Sequence, residues 1–167
     1  MAMETLRRLF EGLDLKDVET FIASGNVIFK SPSRDPQALC RRIEGELRAS
    51  LGYEVATFIR TQTELEAIVR YRPFRAAQLE SSASFNVAFL AEPLDAAAQK
   101  SLLALKTAID DFHVYGRELY WLCKKKQSDS KFSYTRFEKM LNARATWRNV
   151  NTVARLVAKY SRPPDEG

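Results

Sequence analysis

The stretch DVETFIASGNVIFKS, residues 17–31, decides the fold of the first half of this chain. Val18 to Ala23 and Val27 to Phe29 are rich in β-branched and aromatic residues, and Ser24, Gly25 and Asn26 lie between them. Gly and Asn tolerate the positive φ that a tight hairpin turn demands, so two antiparallel strands are expected. Upstream, Met3, Leu6, Leu9, Phe10 and Leu13 recur at helical spacing and predict a helix over residues 3–13 with one buried face. Downstream, Asp35 is an N-cap and Pro36 suits the first turn of the next helix. Leu39, Ile43, Leu47 and Leu51 form the inner stripe of that helix, and Gly52 ends it. Val55 to Ile59 alternates as a strand, and Thr61 with Glu64 fits a capping box that opens a short helix. The first half therefore reads α-β-β-α-β-α.

No periodicity holds over residues 73–84, which contain Pro73 and a Ser-rich stretch, and this segment is expected to link two halves. Beyond it, Phe85 to Ala91 reads as a strand, and a helix follows with Ala98, Leu102 and Leu105 inward. Phe112 to Tyr115 and Glu118 to Cys123 make a second hairpin around Gly116 and Arg117. A helix over residues 133–142 would bury Phe137, Met140 and Leu141. Ala145 to Arg148 reads as a short strand, and the last helix carries Val153, Leu156, Val157 and Tyr160 before Pro163 and Pro164. The first six of these elements follow the split βαβ order. The fold class expected is α+β, two tandem ferredoxin-like (βαββαβ) halves, the first without its opening strand, plus a C-terminal helix. The halves fall at residues 1–72 and 85–162, with a tail at 163–167. The absent strand leaves a gap or an exposed sheet edge in the first half. It implies a late start to the chain or a strand from elsewhere, and with the latter a homo-oligomer.

The chain has 167 residues, of which 46% are hydrophobic and 28% charged, and a formal net charge of +5. Its length suits one domain or two small ones. No apolar run approaches the roughly 18 residues needed to cross a membrane, and Met1 to Phe10 lacks the apolar block of a secretory signal. A cytoplasmic protein without a membrane partner is expected. Cys40 and Cys123 are far apart, and His113 is the sole histidine. That composition excludes the usual zinc sites and argues against a Cys-His nucleophile; reduced, buried thiols, no cofactor and no metal are expected. No Walker A loop, G-x-S-x-G, H-E-x-x-H or dinucleotide fingerprint is present.

Four pieces together resemble a known bacterial family of uncharacterised proteins, the domain-of-unknown-function family numbered 1697. They are DVETFIASGNVIFKS at 17–31, FNVAFL at 85–90, SDSKFSYTRFEKML at 128–141 and ATWRNVNTVARL at 145–156. They span nearly the whole chain in the right order. The resemblance implies two ferredoxin-like halves in tandem and no established activity. The chain departs from the family pattern in two places. It has neither the usual opening strand nor the Gly-rich loop after it, and Val150 stands where the family usually has Trp in the closing motif.

The candidate site residues are polar groups near expected helix starts. Thr146, Arg148, Asn149, Asn151 and Thr152 precede or open the last helix. Unpaired N–H groups there, with a guanidinium beside them, would make an anion pocket; the same asparagines serve equally as ordinary caps. Ser130 and Lys131 precede Ser133, a cap for another helix, and Lys131 and Arg148 converging would suit a phosphate or carboxylate. Lys131 as a solvated lysine is the plain alternative. Gly25 and Asn26 present backbone N–H groups or simply form a turn. Arg70, Arg72 and Arg75 interleave with Tyr71 and Phe74, and Lys124, Lys125 and Lys126 form a second basic run. Such mixtures bind single-stranded nucleic acid by charge and stacking, or else the aromatics cover a core edge. The expected function is a non-catalytic binding protein for an anionic partner, nucleic acid or a phosphorylated ligand. The alternative is an enzyme acting on a small phosphorylated or carboxylated metabolite held by Lys131 and Arg148.

Overall fold

The structure, a computed structural model, describes residues 2–21, 25–125, 130 and 132–160. It is mixed α+β, with two sheets and seven helices among the described residues. The chain divides into two compact units, residues 1–59 and 60–167.

In the first unit, α1 (Met3–Glu11) is followed by β1 (Lys16–Phe21), β2 (Asn26–Lys30) and α2 (Pro36–Leu51). The strands pair antiparallel as a two-stranded sheet. Gly25 takes φ +82°, and the Asn26 amide Nδ2 donates to the Phe21 carbonyl at 3.0 Å, so both residues serve the turn. Residues 22–24 of the expected hairpin lie outside the described residues. Asp35 caps α2 by accepting from the N–H groups of Gln37 and Ala38, and Gly52 closes it in the left-handed region. Leu39, Ile43 and Leu47, one turn apart, bury against Leu6 and Phe10 of α1, Leu15 and Val18. Completely burying a side chain such as Ile43 is worth about 1.5–3 kcal/mol.

The expected strand at Val55–Ile59 is not formed. Val55 and Ile59 do pack on the unit's core, so the alternation reports one apolar face correctly. A strand also needs a neighbour, and α2 takes that neighbour's place. The Thr57 N–H donates to Glu44 Oε1 at 3.0 Å, and the Cys40 thiol donates to the Thr57 carbonyl at 3.1 Å.

The second unit comprises α3 (Gln62–Arg70), α4 (Ala76–Glu80), β3 (Ser84–Leu90), α5 (Ala96–Leu103), β4 (Asp110–Tyr115), β5 (Glu118–Cys123), α6 (Tyr134–Leu141), β6 (Ala145–Asn149) and α7 (Val150–Tyr160). Helix α3, placed by the sequence in the first half, packs on α7, and the expected linker at 73–84 carries α4. The sheet is fully antiparallel in the order β4-β5-β3-β6. Cross-strand partners share a face. One face presents Ala88, Leu119, Trp121, Phe112 and Trp147 to Leu102 of α5 and to Phe137 and Leu141 of α6. Met140, expected inside, is exposed; the inner stripe of α6 runs through Phe137 and Leu141, and Met140 is one residue off it. The opposite face presents Val87, Phe89, Tyr120, Glu118, His113 and Arg148. It is this second face, polar for a sheet with five buried residues in β3, that carries the charged and titratable groups considered next.

Candidate functional site: a charged and aromatic sheet face

Strand β6 leads straight into α7, which fixes the closing motif. Asn149 precedes the first helical residue, and its Oδ1 accepts the Asn151 N–H at 2.8 Å. Asn149 is thus the cap of α7, as its residue type favours. Arg148 faces the opposite way from Trp147. Its guanidinium Nη1 donates to Thr146 Oγ1 at 2.8 Å and to the Trp147 carbonyl at 2.7 Å. Burial pulls the Arg148 guanidinium below its ordinary value.

Ser130 stands elsewhere. Its hydroxyl donates to Asp110 Oδ2 at 2.7 Å and accepts the Phe132 N–H at 3.0 Å. Asp110, at the start of edge strand β4, also accepts from Trp121 Nε1 at 2.8 Å, so its carboxylate belongs to the Trp121 face. Arg148 lies on the other edge strand and on the opposite face. Three interstrand spacings, roughly 14 Å, separate those edges. Ser130 and Arg148 are therefore not brought together; Lys131 lies outside the described residues. Gly25 and Asn26 belong to the first unit and serve its turn.

Cys40 and Cys123 are both thiols; Cys40 is half-buried, and Cys123 is buried and donates to the Lys125 carbonyl. Asp111 accepts its neighbour Phe112 N–H and pairs with Lys106. No group of three potential metal ligands occurs among the described residues.

The charges on the second face are arranged in pairs. Arg60 donates to Glu118 Oε1 at 3.0 Å, to the Leu90 carbonyl at 2.7 Å and to the Arg117 carbonyl at 3.1 Å. Both side chains are sequestered, at 3% and 12% exposure. Burial pulls the Arg60 guanidinium down, and the Glu118 hydrogen bond opposes it. Arg117 in turn meets Glu64 Oε2 at 2.6 Å. Burial alone would raise the Glu64 carboxyl; the Thr61 N–H and Arg117 outweigh it and hold it below its ordinary value. Arg70, Arg72 and Arg75 are exposed, and no carboxylate among the described residues pairs with them. Lys124 and Lys125 are exposed beyond the end of β5, and Lys126 lies outside the described residues.

An aromatic group on this face was not foreseen. His113 and Tyr115 alternate onto it from β4, and Tyr120 is the cross-strand partner of His113. Tyr71, the residue after α3, lies over all three. Its hydroxyl is 2.7 Å from His113 Nε2. Its ring stacks on Tyr115 at 4.5 Å and 22°, and tilts on Tyr120 at 5.4 Å. Tyr120 is buried, and that burial, followed by the charge of Glu118, pushes its phenol up. Phe74, from the same basic segment, is buried edge-on against Phe85 and so covers the core. The signal available in the sequence was the spacing of His113 and Tyr115, two residues apart on a strand.

No helix among the described residues is long and apolar enough to cross a membrane. No curated protein matches the chain. Among solved structures, the conserved bacterial protein SP0830 from Streptococcus pneumoniae is similar, with a TM-score of 0.76 and 21% sequence identity, over 97% of this chain and 90% of that one. At that identity the likeness establishes the fold. The family model described as protein of unknown function (DUF1697) matches residues 1–120, so the hairpin of the first unit and the sheet of the second, up to Tyr120, fall within it, and the chain belongs to this family.

Proposed function

We propose that the protein is a non-catalytic binding protein for an anionic partner and that the second unit does the binding. The observation that carries this is the distribution of charge between the units. Residues 60–167 hold 18 Lys and Arg against 12 Asp and Glu, whereas residues 1–59 hold 8 against 9. The whole formal excess of +5 therefore lies in the second unit. Charge asymmetry of this kind points to polyanionic partners, by raising the local concentration of anions and speeding encounter. The pairing pattern sharpens it. Glu64 and Glu118 are taken up by Arg117 and Arg60, whereas Arg70, Arg72 and Arg75 are exposed with no paired carboxylate among the described residues. The order of β3, α5, β4, β5, α6 and β6 supports reading the second unit as ferredoxin-like, and α1, β1, β2 and α2 follow the middle four elements of the same order.

The test is a titration of labelled inorganic polyphosphate and labelled oligonucleotides across a salt series. Binding at low salt should weaken linearly in log K against log salt. Substituting Arg70, Arg72 and Arg75 together by Gln should weaken binding and flatten that slope, while Arg41 and Arg42 of the first unit, substituted likewise, should leave both unchanged. No binding at low salt, or equal effects of the two sets, sinks the proposal.

A further inference from the structure

Tyr71 and Tyr115 form a stack whose outer side is open. Tyr115 is 61% exposed, the most of any large hydrophobic side chain among the described residues, yet one of its ring faces is covered by Tyr71 at 4.5 Å and nearly parallel. Tyr71 is held at both ends. Its N–H bonds the Ala67 and Ile68 carbonyls at the end of α3, and its hydroxyl meets His113. The buried ring of Tyr120 supports it from below. Such a prepositioned ring loses little freedom when a ligand covers it. Arg70 and Arg72 flank Tyr71 along the chain, about 3.8 Å away from Cα to Cα. Glu118, opposite Tyr115 across the hairpin, is neutralised by Arg60 and so does not repel an anion.

A flat ring continuing this stack, with negative charge within reach of the arginines, matches one partner chemistry. Resting on the anion-binding reading above, we infer that Tyr115, backed by Tyr71 and flanked by Arg70 and Arg72, is a stacking platform for an unpaired base of single-stranded nucleic acid. Every base has a π-face, so the platform is tolerant of sequence. A duplex keeps its base faces covered within its own stack and offers the platform only phosphates.

The experiment is fluorescence anisotropy with four labelled probes of equal length, about twelve nucleotides: a mixed-sequence single-stranded RNA, the same sequence as single-stranded DNA, its duplex, and an abasic strand. The two single strands should bind more tightly than the duplex and the abasic strand. Tyr115→Ala should weaken single-strand binding about 5- to 150-fold while leaving the salt slope unchanged. Tyr115→Phe, which keeps the ring, should bind within about twofold of the parent. Arg72→Gln should instead lower the slope by about 0.7, the value for one phosphate of a single strand. Circular dichroism of the variants confirms that this exposed position leaves the fold intact. If the abasic strand binds as well as the others, or Tyr115→Ala binds as the parent does, the stacking platform is overturned while the anion-binding reading stands. If polyphosphate and every oligonucleotide fail to bind at low salt, both fall. Tyr115-dependent capture of a polyglutamate peptide, with the oligonucleotides unbound, overturns nucleic acid in favour of an acidic protein segment.

Discussion

Breaking the pair between Arg60 and Glu118 should cost the second unit a large share of its stability, and removing both partners should cost much less. Arg60 is 3% exposed and Glu118 12%, so either charge left alone would be stranded away from water. Removing one member of a buried pair costs about 3–5 kcal/mol, because the survivor is uncompensated. Arg60→Met and Glu118→Leu should each fall in that range. In the double variant no buried charge remains. The Arg117 carbonyl keeps the Leu90 N–H as a donor, and the Leu90 carbonyl is the group that loses a charged partner, a loss of about 1–3 kcal/mol. The double variant should therefore be less destabilised than the sum of the singles by at least about 3 kcal/mol, a coupling energy at the top of the range for directly bonded residues. For a domain near 100 residues, each single should lower Tm by more than about 10 °C. The assay is urea unfolding followed by tryptophan fluorescence. Trp121 and Trp147 are the chain's two tryptophans and both lie in the core of the second unit, so the signal reports on that unit. Single variants costing under about 1 kcal/mol, or a double variant equal to the sum, would show that the pair is solvated and refute the reasoning.

Other residues give smaller and more local effects. Glu64 has a folded-state carboxyl below its ordinary value of 4.5, so its contribution is present above that pH and lost as pH falls through the lowered value. Glu64→Gln keeps the capping geometry and removes the charge; it should cost about 0.5–1 kcal/mol at neutral pH, and the gap to the parent should close in acid, as read from unfolding curves between pH 7 and 3. The indole N–H of Trp147 is buried without a partner among the described residues, a cost of about 1–3 kcal/mol already present in the folded state. Trp147→Phe should for that reason change stability by no more than about 1 kcal/mol, and a loss above 3 in urea unfolding would contradict it. Gly52 has φ +80° with open space around it, so Gly52→Ala should meet only backbone strain, about 1–2 kcal/mol, measured by circular dichroism of the first unit's helices.

The features legible in the sequence are those whose cause is local. Asp35, Thr61 and Ser133 cap α2, α3 and α6 because a short polar side chain reaches an N–H two or three residues on. Gly116 turns the second hairpin because it takes φ +59°. Long-range pairing is another matter. The alternation over Val55–Ile59 reports an apolar face but carries no information about a ladder partner. The sequence pairs Lys131 with Arg148 without any information on strand order or face, and it is the sheet that puts Ser130 and Arg148 at opposite edges and on opposite faces. The contact of Tyr71 with His113, 42 residues apart, depends on how α3 docks on α7, which no short window encodes.

Among the described residues two strands make the ladder of the first unit, and Val18 is the one buried side chain on them. Each amide of β1 and β2 is shielded by one layer of chain, whereas those of β3 and β5 lie between neighbours on both sides. An isolated two-stranded hairpin is marginal in water, and local opening breaks only the packing of Val18, Val27 and Phe29 on the unit's core. Deuterium should therefore replace the hairpin protons through fast local opening, long before it reaches the centre of the four-stranded sheet, where exchange waits for global unfolding.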